Sequence, residues 1–518
     1  MCGIAALYSI AESRVDVERL TSMVESLRHR GDRSPRIKHF GRAGLACARL
    51  AIIGREAGSQ PFSDPGGNVW VVFNGEIYNH GELRAELEQS GRTFLSDCDT
   101  EVIVQGYQQW GPQITRRLKG MYAFVVFDST KQECLAARDP FGIKPLYYAL
   151  SDQQKAFSSE IYPLVKNGFR QVSAVPPGGY IYNGQVSGRL LTPDLAAARM
   201  GFQEAKTQLR QLIQQSVRRL LDTDLNVAVF CSGGIDSSVI LYEAAQVLRD
   251  RATAYCVGTK DGDDWQYAEK LAKELGVKFR LVPIERSQMV ESIAETIKII
   301  ESFEPNHIRA GTASVALAKA VSEDGIKVAL VGEGADELLG GYEEFPDAVR
   351  NHRPIAEVEA LFRRFIGELH KTQLQRVDRT TMAFGIEARV PFLEDDLARF
   401  ILSIPLDLKV HRTDDGGVIP KYILREAYRG LLPDFIVDRR KIPMGEGAGI
   451  GDNRPQGPFY EYANSVITDD NLSALAKKYH AFNIRNKEEA HYFSLFVQRF
   501  GALALSQSRP MTNMLKTT

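Results

Sequence analysis

Leu225-Asn-Val-Ala-Val-Phe-Cys-Ser-Gly-Gly-Ile-Asp-Ser-Ser238 is the stretch on which the architecture of the chain turns. Residues 225–230 form a short apolar run rich in valine, the mark of a strand buried on both faces. Cys231 then leads into a glycine- and serine-rich turn, and a helix is predicted to begin near Ser237. Residues 252–258 and 326–332 repeat the strand-then-glycine pattern, with helical periodicity between them. Strand alternating with helix predicts a parallel, doubly wound α/β sheet. Residues 201–221 read as a helix leading into it, and from about residue 355 the chain reads as mainly helical.

Toward the N-terminus the texture is different. Val69-Trp-Val-Val-Phe73 runs into Asn74-Gly75, and Tyr122-Ala-Phe-Val-Val-Phe127 runs into Asp128. Leu146-Tyr-Tyr-Ala149 and Tyr180-Ile-Tyr182 follow, the latter after Pro176-Pro-Gly-Gly179. These are short β signals closed by turn residues. Helical patterns lie at residues 17–27 and 81–89. The first part is therefore predicted to be an α+β domain rich in antiparallel sheet. Residues 189–198 read as a connector, which gives two domains over residues 1–190 and 200–510.

At 518 residues the chain exceeds one ordinary core, in keeping with that division. A formal net charge of -1 argues against a protein built to coat nucleic acid or an anionic membrane. No apolar run approaches the roughly 20 residues that span a bilayer. Met1-Cys2-Gly3 carries no basic leader of a signal peptide, and the cysteines Cys2, Cys47, Cys98, Cys134, Cys231 and Cys256 include no CxxC pair. They read as reduced thiols, so a cytoplasmic location is expected.

Three places carry chemistry. Removal of Met1 would leave the α-amine on Cys2 itself, where it could serve as base for its own thiol; the bland alternative is a buried cysteine that happens to be second. Ser232-Gly-Gly-Ile-Asp-Ser-Ser238 offers backbone N–H groups, hydroxyls and a helix N-terminus to a phosphate chain, with Asp236 placed for a metal. A Walker A sequence, GxxxxGK[ST], is absent. Gly332-Glu-Gly-Ala-Asp-Glu-Leu-Leu-Gly-Gly341 also follows a strand; three acids among glycines is a costly core pattern unless they are paired or metal-bound, and a solvated loop is the alternative.

Cys2-Gly3-Ile4, Arg49-Leu-Ala-Ile-Ile53, Asn74-Gly75-Glu76, Asp99-Thr-Glu-Val102 and Arg138-Asp-Pro-Phe-Gly-Ile-Lys-Pro145, in this order, resemble the class II glutamine amidotransferases. That resemblance implies an Ntn-hydrolase-like αββα sandwich. It makes Cys2 the nucleophile, with the Asn74 side chain and Gly75 N–H as oxyanion hole. Arg49 would grip the α-carboxylate of glutamine, and Glu76 and Asp99 its ammonium.

Ser232 to Ser238 resembles the pyrophosphate loop of N-type ATP pyrophosphatases. Joined to the acidic loop, to Ile308-Arg-Ala-Gly-Thr312, Glu387-Ala-Arg-Val-Pro-Phe-Leu393 and Lys421-Tyr-Ile-Leu-Arg425, it is similar to the synthetase domain of the asparagine synthetase family. The resemblance extends to about residue 500 and implies ATP and Mg2+ as cofactors. ATP would meet Cys231, Ser232, Gly233, Gly234, Asp236, Ser237, Ser238, Val257, Val331 and Gly332. Asp236 and Asp336 would carry magnesium, Glu333 would serve near the acyl-adenylate, and Lys441 would neutralise charge on the phosphate. Arg309 and Glu337 would hold the acceptor.

The implied reaction converts aspartate, glutamine and ATP to asparagine, glutamate, AMP and pyrophosphate through a β-aspartyl-AMP. The partners would be small molecules, with neither nucleic acid nor membrane; oligomeric state stays open, a homodimer being one option. Three departures are visible. His29-Arg-Gly-Asp-Arg33 lacks the family's proline, Asn306-His307 stands where Thr-Thr is common, and Met444-Gly-Glu-Gly-Ala-Gly449 replaces a usual Phe-Ser-Asp-Gly-Val-Gly. They leave room for another carboxylic acid as acceptor. A non-catalytic module of the same fold is a further alternative, disfavoured by the presence of Cys2 and Asp236.

Overall fold

The computed structural model describes residues 1–10, 14–51, 59–151, 153–188, 200–221, 223–442, 444–450 and 457–501, without the side chains of Met444, Glu446 and Ala481. The predicted connector at 189–198, as well as Ile52 and Ile53, lies outside the described residues.

Strand Cys2–Ser9 is buried along its whole length because its small and apolar residues serve both faces of a sheet. It lies near the middle of a six-stranded antiparallel sheet ordered Ser173–Ala174, Tyr147–Leu150, Gln154–Ser158, Cys2–Ser9, Ala43–Arg49, Arg36–Phe40. A second antiparallel sheet runs Gln185–Ser187, Tyr180–Tyr182, Glu133–Arg138, Gly120–Asp128, Val69–Ile77, Phe62–Ser63.

Strand periodicity sorts the side chains. Cys2, Ile4 and Ala6 face the second sheet and share a core with Val72, Ala123, Val125 and Phe127. Ala5 and Leu7 turn the other way, onto Leu20, Met23 and Val24 of helix Val17–Glu25. On the far face of the second sheet, Val71 and Phe73 pack on Leu83 of helix His80–Gln89 and Val102 of helix Asp99–Trp110. The result is the four-layered αββα sandwich expected from the sequence.

The third sheet is wholly parallel, in the order Lys278–Pro283, Ala252–Gly258, Val227–Phe230, Val328–Leu330, Glu387–Arg389. Helices Phe202–Leu220, Ile235–Leu248 and Asp264–Leu275 cover one face, through residues such as Ile213, Val239 and Leu271. Helices Ile293–Ile300 and Pro305–Glu323 cover the other, through Ile297 and Ile308. The chain steps outward from Val227–Phe230 to Lys278–Pro283, then returns to build on the opposite side. This reversal opens a crevice beyond the carboxyl ends of Val227–Phe230 and Val328–Leu330, the usual ligand position in such sheets.

The chain after residue 355 is mainly helical, as expected, with two short β elements that the sequence reading did not place. Glu387–Arg389 is the fifth parallel strand, and Val410–Arg412 pairs with Val418–Pro420 in a small hairpin. Two charges in a three-residue strand hide it from a hydrophobic pattern. They are buried together because Arg389 Nε donates to Glu387 Oε1 at 2.6 Å, while the Met1 amine lies 3.5 Å from Glu387 Oε2. The antiparallel sandwich is thereby tied to the parallel sheet. Lys144 Nζ, donating to Ala388 O at 3.1 Å, and Gly120 N, donating to Asp395 Oδ2 at 3.1 Å, also cross the seam. No helix among the described residues is long and apolar enough to cross a membrane.

Candidate active sites

The first site forms where strand Cys2–Ser9 faces Val69–Ile77. Cys2 is 4% exposed. Its N–H donates to Asn74 Oδ1 at 2.9 Å. That fixes the amide so that Asn74 Nδ2, the remaining donor, is buried without a protein partner among the described residues. Gly75 follows with φ +149°, and a Cβ there would fall 2.0 Å from Met121 O, so only glycine fits this approach of the two strands. Arg49 stands directly opposite Cys2 in the neighbouring strand. Glu76 lies two residues beyond Asn74, and Asp99 Oδ2 accepts from Ile77 N at 3.0 Å. Burial pushes both carboxyls up, Glu76 well above its ordinary value with Glu387 and Asp99 adding to it.

The Cys2 thiol goes the other way, down to about 6. The neighbouring Cys47 thiol is the largest cause; burial opposes it, and the terminal ammonium and Arg49 assist. Sequence reading assembled Cys2, Arg49, Asn74, Gly75, Glu76 and Asp99 but missed Cys47 and Gln60, whose Nε2 stands 3.8 Å from Cys2 Sγ. No local signal marks either of them.

The second site is the crevice of the parallel sheet, a cavity of about 940 Å³. Among the nucleotide candidates, Cys231, Ser232, Gly234, Asp236, Ser237, Val257 and Gly332 line it. Gly233, Ser238 and Val331 lie behind that wall. Gly233 makes the turn at φ +70°, Ser238 Oγ is buried without a partner among the described residues, and Val331 is core. Arg439 braces the loop from outside the turn, donating to Ser232 O at 2.9 Å and pairing with Asp264 at 2.7 Å.

Asp236 and Asp336 come from the two glycine-rich loops and meet over one cation, the ammonium of Lys421. It contacts Asp236 Oδ2 and lies 2.5 Å from Asp336 Oδ1. Lys441 Nζ reaches Asp336 Oδ2 at 2.6 Å. Burial raises the Asp336 carboxyl, but Lys421 and Lys441 outweigh it and hold it below the carboxylate range. Asp236 Oδ1 is left buried with no hydrogen-bond partner in the described residues. Two carboxylates that already gather positive charge, one with an unused oxygen, fit a magnesium ion completing its shell with phosphate oxygens and water.

Glu333 pairs with Arg376 Nη2 at 3.1 Å, burial raising its carboxyl against that pull. Glu337 accepts from the Tyr342 hydroxyl at 2.6 Å, and burial with Asp336 pushes it up to about 7. Arg309 lines the same cavity, yet its guanidinium reaches Glu488, with Nε 2.9 Å from Oε1 and Nη2 2.5 Å from Oε2. Lys421 stood in a recognised motif without a role; Arg376 and Tyr342 had no local signal.

Residues 1–177 match the glutamine amidotransferase domain family, and residues 208–363 and 350–492 match the asparagine synthase family. The glutamine-hydrolysing asparagine synthetase 2 of Oryza sativa is 31% identical, over 96% of this chain and 85% of that protein. Its counterpart from Arabidopsis thaliana is 32% identical over 96% and 87%. A protein named as a glutamine-hydrolysing asparagine synthetase of Methanocaldococcus jannaschii is 30% identical over 87% and 94%.

Proposed function

Because the chain belongs to the glutamine-hydrolysing asparagine synthetase family, we propose that it couples glutamine hydrolysis at Cys2 to ATP-dependent amidation of aspartate. The products would be asparagine, glutamate, AMP and pyrophosphate, formed by two domains, 1–190 and 200–510, working in the cytoplasm.

In the first half-reaction the Cys2 sulfur adds to the side-chain amide carbon of glutamine. With Met1 removed, the α-amine takes the thiol proton and passes it to the leaving ammonia. Asn74 Nδ2 and the Gly75 N–H receive the oxyanion, Arg49 grips the α-carboxylate, and Glu76 and Asp99 take the ammonium. One observation carries this reading: Asn74 Nδ2 is a buried donor with no protein partner among the described residues, on the amide whose Oδ1 binds the Cys2 backbone. A buried unmet donor costs on the order of 1–3 kcal/mol, which an anion formed in the transition state would offset.

In the second half-reaction the Ser232–Ser238 loop holds the phosphates of ATP, and Cys231, Val257, Val331 and Gly332 enclose the nucleoside. Asp236 and Asp336 would hold magnesium, which neutralises charge on the pyrophosphate. Lys441 stabilises charge on the phosphate as the aspartate carboxylate attacks. Glu333 lies near the acyl-adenylate when ammonia, arriving through the domain seam, displaces AMP. Arg309 and Glu337 hold the acceptor.

A second reading, amidation of a different carboxylic acid, is favoured by one observation: the Arg309 guanidinium is engaged by Glu488. The test of the two-site reading is Cys2→Ala, expected to lose glutamine-dependent synthesis and to keep synthesis from ammonium salt. Loss of both activities with an unchanged melting curve would contradict it.

A further inference from the structure

Two side chains close on the Cys2 sulfur, and neither belongs to the glutamine-binding set. Gln60 is 6% exposed. Its Oε1 accepts from Phe73 N at 2.6 Å. A backbone N–H only donates, so the amide oxygen faces the strand and Nε2 faces the sulfur, 3.8 Å away. Phe73 immediately precedes Asn74, so one turn of strand orients both the Gln60 amide and the Cys2 backbone. Cys47 pairs across from Ile4 in the adjoining strand, which puts it on the same sheet face as Cys2. Both thiols belong to the apolar core between the two sheets. Such surroundings favour a neutral thiol, because desolvation penalises charge. The Gln60 donor aimed at the sulfur opposes that preference.

We propose that Gln60 is a catalytic residue of the glutaminase, its side-chain N–H holding Cys2 Sγ as the attacking thiolate. The proposal rests on the reading of Cys2 as nucleophile. The sulfur is anionic before attack and again when it leaves. In the first step the S–C bond forms, the C–N bond breaks, and ammonia departs with the proton the thiol gave up. Water then cleaves the thioester, giving glutamate and restoring the thiol. Gln60 acts on the sulfur at both ends of this cycle, whereas Asn74 and Gly75 act on the carbonyl oxygen.

The experiment uses the full chain and reads the pH midpoint of Cys2 alkylation by iodoacetamide, located by mass, beside kcat and KM for glutamine hydrolysis. Synthesis from ammonium salt reports on folding. Gln60→Met removes the donor at similar volume. It is expected to raise the alkylation midpoint by about one pH unit and to lower kcat about tenfold, with the KM for glutamine little changed. An unchanged midpoint and kcat in Gln60→Met, with synthesis from ammonium intact, would overturn the proposal. If Gln60→Met loses synthesis from ammonium, Gln60→Glu decides on the same readouts, since it keeps an acceptor for Phe73 and loses the amide donor. Glutaminase surviving in Cys2→Ala would instead remove the nucleophile reading, and this proposal with it.

Discussion

Arg30 and Asp378 form an ion pair 2.9 Å long across the seam between the antiparallel sandwich and the parallel sheet, with side chains 0% and 2% exposed. Arg30 Nε also donates to Cys2 O at 3.3 Å, and its Nη1 pairs with Glu160 at 2.9 Å. Asp378 belongs to helix Gln373–Met382, whose Arg376 holds Glu333 in the nucleotide cavity. One short helix therefore touches the fixing residues of both sites. Removing one partner of a buried pair leaves an uncompensated charge, at about 3–5 kcal/mol. Arg30→Met is expected to lower the melting temperature markedly, and Arg30→Met with Asp378→Leu to lower it less than the two single effects combined. Additive melting shifts would mean that the pair is not coupled.

The Cys2 thiol fixes a pH dependence. Cys47, the terminal ammonium and Arg49 hold the thiol below its ordinary 9.0, at about 6, against the pull of burial. Glutaminase kcat/KM should therefore rise through about pH 6 and level off well below 9. The same shift acts on stability: an acid depressed in the folded state stabilises above its unfolded value, and that contribution is lost as pH falls through about 6. A limb centred near 9 would contradict the donor arrangement around the sulfur.

Lys421 is 2% exposed in its side chain and bridges Asp236 and Asp336. Lys421→Met leaves two buried carboxylates facing each other. It is expected to abolish ATP-dependent pyrophosphate release and to leave basal glutaminase within about twofold, because the glutaminase site shares no residue with this cluster. Chelation of magnesium by EDTA in the unaltered protein should give the same split. Pyrophosphate release that persists under either treatment would detach these aspartates from the nucleotide chemistry.

The Arg309–Glu488 pair bears on the acceptor. If Arg309 holds the acid, Arg309→Lys raises the KM for the acid far more than those for ATP and glutamine, since an ammonium cannot reproduce the guanidinium fork. Glu488→Gln should do likewise, because it loosens the guanidinium. Equal KM values for the acid in all three proteins would make the pair purely structural.

How far the sequence could be read follows from the range of the interactions involved. The Cys2 group was legible because each residue sits in a contiguous motif with its own strand or turn signal, and Ser232 to Ser238 because strand, glycines and helix are adjacent. Glu387–Arg389 was not, since its two charges are buried against each other and break any apolar alternation. Gln60 and Cys47 act across strand pairings. Glu488 meets Arg309 from 179 residues away, where no spacing rule reaches.

The most direct measurement supplies the chain with aspartate, ATP, magnesium and glutamine carrying heavy nitrogen in its side-chain amide, and identifies every product by mass. The account predicts asparagine bearing the heavy nitrogen, with glutamate, AMP and pyrophosphate in equal amounts. Aspartate recovered unamidated, with the heavy nitrogen released as free ammonium, would contradict aspartate as acceptor, and ADP in place of AMP would contradict the adenylate chemistry itself.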